Sequence, residues 1–147
     1  MRYKDIQIVL QEIPNEISLA ITITGCNIRC DGCHSPDTWK ESVGTLLTEA
    51  TILNTINKYK PMISCVVFKG GEWHEKELIN FLCLCRNNGL KTALYTGMDT
   101  VSTGIREQLT YLKTGKYISS LGGLNSPTTN QRFIDVVTGK VLNEWFR

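Results

Sequence analysis

The sequence has little that would direct it to a bilayer, a nucleic acid or an extracellular scaffold. No apolar stretch reaches the ~18 residues needed to span a membrane, and Met1-Arg2-Tyr3-Lys4-Asp5 leads into no hydrophobic signal segment. An excess of one charge is also missing: 16 Lys plus Arg stand against 14 Asp plus Glu, a net charge of +2, and the basic residues are scattered. Without a basic run there is no electrostatic footprint for nucleic acid or lipid. Only 4 prolines occur, and there is no Pro-rich linker, internal repeat or low-complexity stretch. These absences lead us to expect a cytoplasmic protein that binds neither nucleic acid nor membrane.

What is present is an ordinary globular composition with one exception. A chain of 147 residues favours a single domain, 1–147. At this length folding buries roughly 70% of the unfolded surface, enough for an ordinary core. With 41% hydrophobic and 20% charged residues, a disordered or collagen-like chain is excluded. The exception is cysteine. Three of the 6 cysteines, Cys26, Cys30 and Cys33, are crowded together. A chain with no export signal and an adequate core has no need of a disulfide framework. In a reducing compartment, clustered cysteines read as metal ligands or redox groups.

The patterning predicts alternating strands and helices. Ser18 to Thr24 alternates with period two, is rich in β-branched residues and stops at Gly25, so it reads as a strand delivering the cysteine loop. Thr48 is placed to cap a helix with Ile52, Leu53, Ile56 and Tyr59 on one face, closed by Pro61. Cys65-Val66-Val67-Phe68 is a short continuous apolar run, as in strands buried on both faces of a parallel sheet. His74 to Asn88 has helical periodicity, with Gly89 as the residue past its C-terminus. Lys91 to Thr96 forms the next strand, Val101 to Leu109 a further helix, and Tyr111 to Ile118 holds a fourth strand broken by Gly115. Phe133 to Val137, with Thr138-Gly139 as a turn, suggests a late hairpin.

Such alternation implies an α/β fold built of βα units around a mainly parallel sheet. A full eight-unit barrel takes ~250 residues, so this chain has material for only part of one. Three strand ends carry glycine or cysteine punctuation: Gly25-Cys26, Gly70-Gly71-Glu72 and Thr96-Gly97. In parallel sheets and barrels, ligands bind at the C-terminal ends of strands, so all three should meet on one rim.

Cys26, Cys30 and Cys33 are spaced CX3CX2C. Soft thiolates select zinc or iron–sulfur centres over hard cations, and an iron–sulfur cubane ordinarily takes four cysteines. Three local ligands leave one iron open to a small molecule. The competing reading is structural zinc in a Cys3His set completed by His34. Against it, adjacent Cys33 and His34 would have to turn towards the same ion. A third reading, three unliganded thiols, fits poorly with a loop that follows Gly25.

The stretch Gly25-Cys26-Asn27-Ile28-Arg29-Cys30-Asp31-Gly32-Cys33-His34-Ser35-Pro36-Asp37-Thr38-Trp39 resembles the cluster loop of radical S-adenosylmethionine enzymes. Gly70-Gly71-Glu72 is similar to the family's segment around the methionine amino group. Leu121-Gly122-Gly123-Leu124-Asn125-Ser126-Pro127-Thr128-Thr129-Asn130-Gln131-Arg132 is similar to a C-terminal signature of the activators of anaerobic (class III) ribonucleoside-triphosphate reductase. Trp73 stands where the family usually has a proline, and Gly32 where the wider superfamily often has an aromatic residue.

The resemblance implies an incomplete TIM-like β/α barrel of the radical SAM type. It implies a [4Fe–4S] cluster on Cys26, Cys30 and Cys33 whose open iron is chelated by S-adenosyl-L-methionine. Gly32, Cys33, His34, Gly70, Gly71, Glu72, Thr96 and Lys113 would then border that cofactor. One-electron cleavage of the sulfonium gives methionine and a 5′-deoxyadenosyl radical, which takes hydrogen from a glycine Cα of the large reductase subunit. The electron would come from a low-potential, flavodoxin- or ferredoxin-like donor. The alternatives are an activator of another glycyl-radical enzyme, of the pyruvate formate-lyase type, and a zinc-binding interaction module.

Several residues carry a plainer reading beside the functional one. Glu72 either accepts from a ligand ammonium or is a solvated carboxylate in the first turn of a helix. Gly70 and Gly71 admit a ligand or only form a tight turn. Thr96 and Gly97 touch ribose or carboxylate, or simply end a strand. Lys113 faces the cofactor or solvent, and His74 reads as a surface histidine at a helix start. Cys83 and Cys85 lie roughly 200° apart around a helix and cannot chelate one metal together. With Cys65 they read as small buried hydrophobes.

Overall fold

The computed structural model of the chain describes residues 1–25, 40 and 42–147. Cys26, Cys30, Gly32, Cys33 and His34 therefore lie outside the described residues. The strands are β1 (Arg2–Val9), β2 (Ser18–Ile23), β3 (Thr45–Leu46), β4 (Cys65–Lys69), β5 (Lys91–Tyr95), β6 (Tyr111–Thr114) and β7 (Arg132–Asp135). Among the described residues they form one sheet of 7 strands in the order β3-β1-β2-β4-β5-β6-β7. The helices are α1 (Glu49–Tyr59), α2 (Glu75–Asn87) and the single turn α3 (Thr103–Arg106), with a 3-10 turn at Asn143–Phe146.

The four central strands β2, β4, β5 and β6 are parallel, with Leu19 opposite Val66 and Val66 opposite Thr92. The expected mainly parallel sheet is thus found at the centre, while the flanks are antiparallel, β1 on β2 and β7 on β6. Its outermost strands, β3 and β7, are not paired with each other, and the sheet is open.

Each central strand feeds two cores, which is why Cys65–Phe68 shows no polar alternation. Leu19, Ile21, Val66, Phe68, Leu94 and Leu112 pack with Ile52 and Ile56 of α1 and Leu78 and Leu82 of α2. On the opposite face Ala20, Cys65, Val67, Ala93 and Tyr111 meet Leu124, Phe133 and Leu142. Full burial of each large side chain contributes about 1.5–3 kcal/mol. The α1 start is as expected: Thr48 Oγ1 accepts from the Thr51 N–H at 3.2 Å. Past α2, Gly89 takes φ +79° and donates its N–H to Arg86 O at 3.0 Å.

Three local readings need correction, those of Arg2–Val9, Val101–Leu109 and Cys83. Arg2–Val9 forms a strand that the pattern did not announce, because a register shift between Tyr3 and Asp5 interrupts its alternation. The helix expected over Val101–Leu109 shrinks to Thr103–Arg106. The fourth strand is found as expected within Tyr111–Ile118: it runs to Thr114 and is broken by Gly115, with φ +102°. Cys83 is half-buried rather than a core hydrophobe, and its thiol donates to Gln108 Oε1 at 3.1 Å. The late hairpin is present as β7 with a single bridge from Ile134 to Val141.

Candidate functional site

The C-terminal ends of β4 and β5 lie side by side, joined past the last ladder pair by a hydrogen bond from Gly70 N–H to Tyr95 O at 2.9 Å. Gly70 (φ +88°) and Gly71 (φ +110°) both take left-handed backbone, which L side chains rarely adopt. A Cβ on Gly70 would stand 2.8 Å from Trp73 Cη2, because the Trp73 ring folds back over the glycine. A Cβ on Gly71 would lie 3.3 Å from Met1 Cε and 3.4 Å from Ile23 Cγ1, so this turn also presses on the end of β2.

Glu72 follows directly. It precedes α2, which begins at Glu75, and it is half-buried, so the solvated first-turn reading does not hold. Thr96 Oγ1 donates to Glu72 Oε1 at 2.6 Å and accepts from the Met98 N–H at 3.0 Å. Glu72 Oε2 is buried and has no hydrogen-bond partner among the described residues. Burial pushes the Glu72 carboxyl above its ordinary value, while the Thr96 hydroxyl and its own backbone N–H pull it back. A buried carboxylate oxygen without a donor is costly, and a ligand cation is the kind of group that would satisfy it. Trp73 Nε1 is likewise buried without a partner among the described residues.

The structure therefore brings Gly70, Gly71, Glu72 and Thr96 together. Lys113 stands one strand further along, its carbonyl accepting from Thr96 N–H at 2.9 Å. Its Nζ lies 4.8 Å from the centre of the Tyr95 ring, a cation–π arrangement. The Tyr95 hydroxyl donates to Glu12 O, and Lys69 Nζ pairs with Glu12 Oε1 at 3.0 Å. Glu12, Tyr95 and Lys113 border a cavity of about 380 Å³ whose lining also includes Gln11, Tyr117 and Gln131.

The Leu121–Arg132 stretch forms one wall of that cavity and is laced to itself. Ser126 Oγ donates to Leu121 O at 2.8 Å and Thr129 Oγ1 to Gly122 O at 3.0 Å. Asn130 Nδ2 reaches Lys116 O at 2.9 Å and Gln131 Nε2 reaches Gly115 O at 3.1 Å, fixing the wall to the exit of β6. Arg132 is exposed. Sequence reasoning missed Gln11, Glu12, Tyr95 and Tyr117. For Tyr95 a signal existed, since period two places it on the same face as Ala93. For Gln11 and Glu12, in an irregular segment after β1, none did.

Among the described residues no three His, Cys, Asp or Glu side chains gather as a metal site. Cys65, Cys83 and Cys85 are free, and burial pushes the Cys65 and Cys85 thiols up to about 12. No helix of the described residues is long and apolar enough to cross a membrane.

An α/β sheet whose strand ends present a half-satisfied carboxylate, in a chain that also carries a tri-cysteine motif, is the setting in which the family match falls. Residues 17–120 match the family described as a 4Fe-4S single cluster domain, and the chain belongs to that family. Its cofactor is a [4Fe–4S] cluster. The chain is also similar to pyruvate formate-lyase-activating enzymes. It is 36% identical over 86 residues to that of Clostridium pasteurianum, covering 54% of this chain and 36% of that protein. It is 33% identical over 84 residues to those of Listeria monocytogenes and Listeria innocua, covering 53% of this chain and 34% of each. The match spans about a third of the length of these curated relatives.

Proposed function

We propose that this chain is a radical S-adenosylmethionine enzyme that activates a larger partner by generating a glycyl radical on it. The observation that carries the reading is the Glu72 carboxylate, held on one oxygen by Thr96 with the other buried and unpartnered among the described residues. A charge-assisted bond from an ammonium group fits that oxygen, and the α-amino group of S-adenosylmethionine is such a donor. In this reading Cys26, Cys30 and Cys33 ligate the cluster and leave one iron open. Gly32 and His34 flank the third ligand in the chain. Gly70 and Gly71 admit the methionine end close to the backbone, and Glu72 takes its ammonium. Thr96 and Lys113 border the same rim.

Held by Cys26, Cys30 and Cys33, the cluster would supply the single electron for reductive cleavage of S-adenosylmethionine, the chemistry needed to abstract hydrogen from a glycine Cα of the partner. The protein's share is orientation and exclusion of competing reactions. We read the open sheet as part of a β/α barrel of the radical SAM type. One side would then be completed by a docked macromolecule rather than by a lid of this chain. A low-potential flavodoxin- or ferredoxin-like protein would supply the electron, in a cytoplasmic setting.

Two partners have specific support. The relatives carry the name pyruvate formate-lyase-activating enzyme, which favours a partner of the pyruvate formate-lyase type. The Leu121–Arg132 stretch resembles the activators of anaerobic ribonucleoside-triphosphate reductase and favours its large subunit. The test is to incubate the reduced, reconstituted protein and S-adenosylmethionine with each partner, and with its glycine-to-alanine variant, and to record electron paramagnetic resonance. A persistent organic radical on one partner, absent from its variant, is expected. The same radical on the variant, or stoichiometric zinc with no iron uptake after anaerobic preparation, would overturn the reading.

A further inference from the structure

A threonine hydroxyl has one proton to give and lone pairs to receive with. At Thr96 the lone-pair side is engaged by the backbone N–H of Met98 at 3.0 Å. The proton is directed at Glu72 Oε1, 2.6 Å away. The Met98 amide cannot reverse its direction, so it fixes the hydroxyl as a donor towards Glu72. Thr96 is itself buried and held in place, its N–H bound to Lys113 O at 2.9 Å. The consequence falls on the other carboxylate oxygen. With Oε1 engaged by the residue just past β5, the carboxylate cannot flip freely, and Oε2 is the oxygen left without a partner among the described residues.

We infer that Thr96 is a positioning residue that acts through Glu72: its hydroxyl, oriented by the Met98 amide, holds the carboxylate with Oε2 presented to the ligand's ammonium group. This rests on the assignment of Glu72 above but makes a separate claim, that Thr96 need not touch the ligand to control its binding. Burial raises this carboxyl, and the Thr96 hydroxyl is the foremost of the contacts that draw it back down. The hydroxyl bond and its own backbone N–H oppose the desolvation, and no charged side chain of the described residues acts on it.

The experiment is an anaerobic titration of the reconstituted protein with S-adenosylmethionine across pH, for wild type, Thr96→Val, Thr96→Ser and Glu72→Gln. Thr96→Val keeps the shape and removes the donor. It should bind about tenfold more weakly, equivalent to about 1.4 kcal/mol. Its acid limb should move to higher pH, because the unsupported carboxylate takes up its proton more readily. Thr96→Ser should restore both. Affinity and limb as in wild type would overturn the inference. So would weaker binding with the limb unmoved, which would mean that Thr96 meets the ligand itself or only holds the fold.

A measurement on the unmodified full chain covers the case in which Thr96→Val does not fold. In the metal-free protein, the Met98 amide shift should titrate with the Glu72 carboxyl carbon at one midpoint. Independent titration of the two would overturn the relay. Glu72→Gln separates the claims: if it binds as tightly as wild type, the assignment of Glu72 fails and this inference with it. Weakened Glu72→Gln beside unchanged Thr96→Val overturns the inference about Thr96 alone.

Discussion

Glu16 and Lys91 meet at the end of the sheet opposite the site, with Lys91 Nζ 2.5 Å from Glu16 Oε1. The Glu16 side chain is only 4% exposed, against 52% for Lys91, and Glu16 also accepts from Ser64 Oγ at 2.8 Å. The contact ties the segment before β2 to the starts of β4 and β5. Lys91→Met leaves a buried carboxylate short of its cation. Such losses reach 3–5 kcal/mol when both partners are buried; with Lys91 half in water, a loss of about 1–2 kcal/mol is expected. A lower urea midpoint at constant slope would show it.

The same pair sets a pH dependence. The bond to Glu16 holds the Lys91 ammonium above the usual lysine range, against a smaller opposing effect of burial. Its folded value is raised, so its contribution is fully present below the ordinary lysine value and is lost as pH rises through the raised one. Thermal melts from neutral to strongly alkaline pH should therefore show a decline in wild type that is smaller in Lys91→Met. Parallel curves would contradict the assignment.

Cys65 and Cys85, pushed up to about 12 by burial, should be inert as nucleophiles in the folded chain. Iodoacetamide at pH 8 should modify neither until denaturant is added, as read by mass spectrometry of peptides. Cys65→Ala, Cys83→Ala and Cys85→Ala should each retain full iron content. Loss of iron in any of them would implicate the wrong thiols.

Replacing Cys26, Cys30 or Cys33 with Ala should abolish visible absorption by the cluster and cleavage of S-adenosylmethionine. Full iron content in any single variant would remove that residue from the ligand set.

Gly70→Ala puts a Cβ 2.8 Å from Trp73 Cη2 on a backbone with φ +88°. Strain of this kind costs about 1–3 kcal/mol, and the methionine end of the cofactor should also lose affinity. Unaltered stability, measured calorimetrically, would show that the turn relaxes without consequence.

The centre of the fold was legible because parallel strands buried on both faces leave continuous apolar runs, as at Cys65–Phe68, and because Thr48 and Gly89 mark helix ends through their own chemistry. The flanks were not. β1 loses its alternation to a register shift, and β3 is only Thr45–Leu46, too short to carry a pattern. At the site, Gly70, Gly71 and Glu72 could be read because glycine pairs announce special backbone. Their link to Thr96 depends on parallel neighbours brought together by the fold, and no local pattern encodes it. The role of Asn130 and Gln131 was equally hidden, since both spend their amides on carbonyls at Gly115 and Lys116.

The pairing of β2 with β4 sets an order of assembly during synthesis. β1 and β2 make a local hairpin, Ile8 opposite Leu19, and can form early. β2 gains its parallel neighbour only when Ser18 finds Cys65, and β4 then waits for Lys91. Such distant pairings close large loops and slow folding. Cys26, Cys30 and Cys33 thus leave the ribosome well before Glu72 or Thr96 exists. On the proposed assignment, the two parts of the ligand site are synthesised separately, and the nascent thiols meet solvent before Glu72 and Thr96 are made.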